Sequence, residues 1–152
     1  MHLPSLIRCP LEMAVSGKNL PIEQLLGSGW YLRGAHQVTV SIDSHVEYIG
    51  TSRGEFSVCT KIFVATNSGW FSERSAAYLA GGRPVVVQDT GFSEHLPCGR
   101  GIFAVRTAEE AAAAIDKITG DYERHSEWVQ EIAREHLDAE KVLGRIFHEL
   151  GI

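Results

Sequence analysis

Two patterns of apolar and polar positions recur along the chain, and they meet in one stretch, Ser68 to Phe92, which reads SGWFSERSAAYLAGGRPVVVQDTGF. Ser72 predicts a helix start, because its hydroxyl can accept a free backbone N–H two or three residues on. Ala76, Ala77, Leu79 and Ala80 suit the helix that follows, and Gly81-Gly82 predicts its end. Pro84 cannot continue a helix, while Val85-Val86-Val87 suits a strand buried on both faces, as in parallel sheets. Asp89-Thr90-Gly91 then predicts a turn. Helix, tight turn and buried strand make half of a doubly wound unit, in which ligands sit at the carboxyl ends of strands beside helix N-termini. That rule puts Ser68 to Ser75 and Asp89 to Phe92 on one rim.

The flanking sequence extends the pattern. Residues 1–28 are interrupted by Pro4, Pro10, Gly17 and Pro21 and read as a weakly ordered or connecting segment, with a short helix from Pro21 to Leu26. Residues 29–152 read as one domain. Trp30-Tyr31-Leu32 is strand-like; Ser41 or Asp43 caps a helix carrying Val46 and Ile49; Glu55 to Cys59 is a short strand. Lys61 to Asn67 suits either strand or loop, and loop is the reading adopted. Ile102 to Val105 forms another strand. Thr107 and Glu110 make a capping box, Asp121 caps a helix with Trp128, Val129, Ile132 and Ala133 on one face, and Asp138 caps a last helix with Val142, Leu143, Ile146 and Leu150. The expected fold class is α/β: a Rossmann-like parallel sheet of about four strands flanked by helices, with a C-terminal helical tail.

Composition narrows the function classes. With 152 residues and 44% hydrophobic content, one ordinary core is within reach. A net charge of −5 argues against a nucleic-acid or anionic-membrane surface, since both need clustered cations. The three cysteines are odd in number and form no CxxC pair, which favours a reduced, cytoplasmic protein. No run is long enough to span a membrane. The seven histidines show no ligand spacing, and neither GxGxxG nor GxxxxGK[ST] occurs, so no metal and no cofactor is expected.

The run AAYLAGGRPVVVQDTGFSEHL, followed by GRGIFAV and TAEEAAAAI, resembles the carboxyl-terminal half of GT-B glycosyltransferases of the group-1 type. The resemblance covers roughly Gly54 to Ile152. It implies a domain that binds a nucleotide-diphosphate sugar and faces a second, acceptor-binding domain or subunit. The implied reaction is transfer of the sugar to an acceptor hydroxyl, with binding but no turnover by this half alone and no catalytic residue of its own. The two family glutamates that contact donor sugar and ribose fall on Gly69 and Ala77, leaving Glu73 as the acidic residue nearest to hand.

Each candidate position carries two readings. Ser72 and Ser75 either bring helix N–H groups to a diphosphate, with Ser68-Gly69 allowing close backbone approach, or only shape the helix start. Arg53 and Lys61 either reach phosphate oxygens from the rim or are solvated surface cations. Trp70, Phe71 and Phe92 form a flat wall for a base or sugar ring, or pack the sheet edge. Asp89, Thr90, Gly91 and Glu94 line the strand end as ligand contacts or as turn chemistry. The competing functions are a non-catalytic interaction module on the same fold and a fragment of a sugar-nucleotide epimerase.

Overall fold

The structure, a computed structural model, describes residues 2–152. The first layer begins with a 3-10 turn at Leu3–Leu6 and strand β1, Glu12–Val15. Helix α1, Ile22–Gly27, leads to strand β2, Tyr31–Gly34. The two strands are parallel, in register from Glu12 opposite Tyr31 to Val15 opposite Gly34. Sequence reading expects no strand before residue 29, so β1 is a correction, and its ladder crosses the boundary expected at residues 28 and 29. The alternation that marks a strand spans only four residues here, and its exposed positions, Glu12 and Ala14, dilute it further. Pairing supplies what local pattern lacks: Arg33 donates to both carboxylate oxygens of Glu12, at 2.8 and 3.1 Å.

Helices α2, Ala35–Thr39, and α3, Ile42–Thr51, complete this layer. Ser41 starts α3 through a reciprocal pair of bonds: the Ser44 N–H donates to the Ser41 hydroxyl, and the Ser41 N–H donates to the Ser44 hydroxyl.

Strand β3, Glu55–Ser57, is followed by α4, Lys61–Ala65, and α5, Glu73–Ala80. Strands β4, Val85–Gln88, and β5, Ile102–Val105, are parallel to β3, in the order β3-β4-β5. The parallel strands are therefore five in two sheets, where about four in one sheet are expected. The loop expected over Lys61 to Asn67 is a single helical turn. Its β-branched residues have modest helix propensity and Thr60 makes no side-chain cap, so tertiary packing decides: the Phe63 ring stacks on Trp70.

After β5 come α6, Ala108–Gly120, and α7, Tyr122–Ile132. A wide π turn at Ala133–Leu137 leads into α8, Ala139–Leu150. Thr107 and Asp138 cap as expected from sequence, each hydroxyl or carboxylate accepting the N–H three residues on. Asp121 occupies the cap position of α7 without making the side-chain bond. The Glu110 carboxylate accepts from the Arg106 N–H at 2.7 Å rather than closing a box on Thr107.

Strand β4 joins the two cores, because alternate side chains point to opposite faces. Val86 belongs to the cluster containing Leu25, Trp30, Val105 and the buried alanines of α6. Val85 and Val87 belong to the cluster of Ile49, Leu79, Phe92, Ile102 and Val129. Each fully buried valine contributes roughly 1.5–3 kcal/mol relative to exposure. Close approach of α7 to β5 requires Gly101, where an added Cβ would lie 2.8 Å from the His125 carbonyl oxygen. The last helix differs from this packing: α8 has no buried residue, and Leu143, Phe147 and Leu150 stay exposed. No helix among the described residues is long and apolar enough to cross a membrane.

Candidate functional site

At the carboxyl ends of β4 and β5 lies a cavity of about 260 Å³ lined by Val64, Asn67, Gln88, Asp89 and Arg106. This is the edge of a parallel sheet on which ligands bind in α/β folds. Three loops build it, and each is tied to the next.

The loop after β3 is anchored to the end of β4. The Cys59 N–H donates to the Gln88 side-chain oxygen at 3.0 Å, and the Cys59 thiol donates to the Gln88 carbonyl at 3.6 Å. The loop after β4 closes on itself: Asp89 Oδ1 accepts the Gly91 N–H at 3.0 Å, and Asp89 Oδ2 accepts from Ser93 Oγ and Arg106 Nη2, each at 3.1 Å. Burial alone pushes the Asp89 carboxyl up, but the Gly91 N–H, the Ser93 hydroxyl and the Arg106 guanidinium outweigh it. Asp89 is held below the ordinary aspartate value. Arg106 keeps most of its side chain in solvent while touching this carboxylate.

The loop before α5 docks on the loop after β4. The Gly69 N–H donates to the Thr90 carbonyl at 2.8 Å, and the Thr90 hydroxyl donates to the Trp70 carbonyl at 2.6 Å. Asn67 has a left-handed backbone, φ 47°, and faces Gly91, φ 97°. A Cβ on Gly91 would lie 2.6 Å from Asn67 Oδ1, so a side chain there would displace the Asn67 amide besides straining the positive-φ backbone. Asn67 also donates to Glu94 at 3.4 Å.

Helix α5 starts beside them. The Ser72 hydroxyl accepts the Arg74 N–H at 3.2 Å, and the N–H groups of Glu73 and Ser75 have no acceptor among the described residues. The Arg74 guanidinium turns toward β3, donating to Glu55 Oε1 at 2.6 Å and to the Ser57 hydroxyl at 2.8 Å. Glu55 is buried, and its second carboxylate oxygen has no partner.

The structure therefore brings together Ser68, Gly69, Trp70, Asp89, Thr90, Gly91 and Glu94. Lys61 stands exposed on the first turn of α4, and Ser72 and exposed Glu73 open α5. Three expected contacts are placed elsewhere. Arg53 lies before β3, at the opposite, amino ends of the strands, with its guanidinium 4.3 Å from the centre of the Tyr122 ring. Phe92 offers no flat wall, since it is 1% exposed and packs on Phe71 at 5.1 Å between ring centres. Ser75 is fully buried on the inner face of α5, where its hydroxyl finds no partner.

Sequence reasoning missed Asn67, Gln88, Arg106 and Arg74. Gln88 and Arg106 carried a usable signal, for each stands at or just past the carboxyl end of a strand. Asn67 sits at the end of a segment read as loop, and the Arg74 to Glu55 pairing is a long-range contact that no local pattern announces. Among the described residues, no group of three or more histidine, cysteine, aspartate or glutamate side chains is placed to hold a metal ion.

Set against family models, curated proteins and solved structures, the chain matches none.

Proposed function

We propose that the chain is the donor-binding half of a GT-B type glycosyltransferase, a Rossmann-like domain that holds a nucleotide-diphosphate sugar at the carboxyl ends of β4 and β5. The observation that carries this reading is the cavity itself. Its polar lining offers the Gln88 and Asn67 amides and the solvent-facing Arg106 guanidinium at the sheet edge where such ligands bind. A guanidinium matches phosphate oxygens in charge and geometry. The unpaired Glu73 and Ser75 N–H groups at the start of α5 add a weak attraction for an anion, and Glu73 opposes it.

The cavity, at about 260 Å³, is smaller than the roughly 300–1,000 Å³ of a site that encloses a whole small molecule. It accommodates part of the donor, the diphosphate with its sugar, and leaves the rest on the surrounding loops. In transfer, the sugar–oxygen bond to the diphosphate breaks as the acceptor hydroxyl attacks, and charge develops on the leaving phosphate. Arg106 and the backbone donors are the groups suited to stabilise that charge. The acceptor and any base belong to a partner domain, so this half binds without turnover.

Isothermal titration with UDP-, GDP- and ADP-sugars tests the reading, with Arg106→Gln as the control variant. The expected result is binding that weakens on loss of the guanidinium. No heat at millimolar ligand, with the protein shown folded, rejects it.

A second reading, a non-catalytic interaction module, is favoured by two features. Gly69 and Ala77 stand where the family carries acidic contacts, and Val40, Ile42 and Val46 leave an apolar face exposed on α3 and the turn before it. Absence of nucleotide-sugar binding together with self-association or capture of a defined protein partner would favour it.

A further inference from the structure

Gln88 is the last residue of β4, and its backbone stands opposite Val105 in the β4–β5 ladder, so Arg106 lies one position past its partner. Both Gln88 and Arg106 line the cavity. The Gln88 amide is held at one end, where its Oε1 accepts the Cys59 N–H at 3.0 Å. A backbone N–H bonds only to the oxygen of an amide, so this contact decides which end is which. The amide nitrogen is left over. It has no partner among the described residues and it is not buried, so its two N–H groups are open to solvent.

The rest of the lining divides unevenly between donors and acceptors. Arg106 spends only Nη2, on Asp89, and most of its side chain is solvated, which leaves Nε and Nη1 without a partner among the described residues. Asp89 is already met by the Gly91 N–H, the Ser93 hydroxyl and Arg106, three donors on two oxygens. Asn67 donates to Glu94 and keeps its amide oxygen close against Gly91. Unspent donors therefore gather on two neighbouring strand ends, while the carboxylate beside them is occupied. An oxygen that only accepts, as on a phosphate, suits such a pair better than a hydroxyl, which also has a proton to place.

We propose that Gln88 is a specificity-determining residue of this site: its amide –NH2, aimed by the Cys59 N–H, joins Arg106 in a two-donor seat for phosphate oxygens. The inference rests on the donor-binding reading above and adds to it the group that selects an oxyanion. The guanidinium supplies charge, and the neutral amide supplies direction. Because the amide is tethered before a ligand arrives, little ordering cost falls on binding. Inorganic pyrophosphate, which carries acceptor oxygens and neither base nor sugar, is the probe that isolates the seat.

The test titrates pyrophosphate into the isotope-labelled wild-type chain and follows the side-chain –NH2 signals in proton–nitrogen spectra. The Gln88 pair is the one missing from the spectra of Gln88→Glu and Gln88→Met. Gln88→Glu keeps an oxygen for the Cys59 N–H but has no amide donor, whereas Gln88→Met removes both without adding charge. Thermal melting confirms that each variant is folded. The Gln88 signals are expected to shift saturably, with the midpoint that the heat of binding gives. Affinity is expected to fall about ten- to hundredfold in Gln88→Met, from the usual worth of a hydrogen bond to a charged group, and further in Gln88→Glu. Gln88 signals that stay still while the wild type binds pyrophosphate overturn the seat and leave donor binding standing. Wild-type affinity in Gln88→Met does the same, since like-charge repulsion alone then explains the glutamate variant. Binding of a UDP-sugar without binding of pyrophosphate overturns the seat alone. No binding of either to the wild type at millimolar concentration removes both proposals together.

Discussion

Arg106 Nη2 stands 3.1 Å from Asp89 Oδ2, and the two residues leave the ends of neighbouring parallel strands. The aspartate is buried while most of the arginine side chain is solvated, so the carboxylate depends on its neighbours more than the guanidinium depends on it.

That dependence sets a pH window. The folded-state carboxyl of Asp89 lies below its unfolded value, so its stabilisation is present above the ordinary aspartate range, about 3.9, and is lost as pH falls through the folded value. Thermal melting of wild type and Asp89→Asn from pH 7 down to pH 2 should show a gap that closes at the acid end. A constant gap across the range would mean that the ionised form carries no special stabilisation.

Two glycines on the same rim separate backbone strain from steric conflict. Both have positive φ, but a Cβ on Gly91 meets Asn67 Oδ1 at 2.6 Å, whereas one on Gly69 first meets His95 at 3.9 Å. Gly69→Ala should cost about 1–2 kcal/mol for the left-handed backbone, and Gly91→Ala more, because the Asn67 side chain must also give up its place between the loops. Urea midpoints of the two variants check the order, and equal midpoints would remove the loop-contact argument.

The Arg74 to Glu55 pair predicts strong coupling. Arg74→Met leaves a buried, uncompensated carboxylate, at a cost of about 3 kcal/mol, while the double change Arg74→Met with Glu55→Gln should recover part of that loss. A double-mutant cycle from denaturant unfolding gives the interaction energy. Additive effects would show that the two side chains act independently.

His125 supplies a separate and milder pH effect. It is buried, and its Nδ1 accepts the Gly101 N–H at 2.9 Å. Burial first, and then the Lys117 charge, hold its imidazole below the ordinary histidine value. The unfolded chain therefore takes up the proton first, and stability falls as pH drops below about 6.5. His125→Gln should flatten the stability profile between pH 7 and pH 5. An unchanged slope there would assign the effect to another group.

Much of the α/β order was legible because local chemistry and packing agree there. The Ser72 cap, the Gly81-Gly82 stop and the valine run need no distant partner to be recognised. The elements that escaped reading depend on remote contacts. Strand β1 needs β2, and α4 needs Trp70 to cover Phe63. The rim was legible as a place, from the strand-end rule applied to Asp89-Thr90-Gly91. Its composition was not, because burial decides between neighbours: Ser75 and Phe92 turn inward, while Asn67 and Arg106 line the cavity. Arg53 was misplaced because a sequence does not show which end of a three-residue strand a flanking side chain serves.

The two sheets have a dynamic consequence. No main-chain to main-chain hydrogen bond joins residues 2–52 to residues 55–152 among the described residues; the apolar clusters bridged by Val86 and by Ile49, with the Arg83 guanidinium donating to the Gly50 carbonyl, hold the layers together. Apolar contact is non-directional and the polar ties between the layers are few, so opening of the first layer need not break the β3–β5 ladder. Deuterium uptake should then divide the protein into a faster-labelling leaf and a slower one, with the rim at the carboxyl ends of β4 and β5 belonging wholly to the slower leaf.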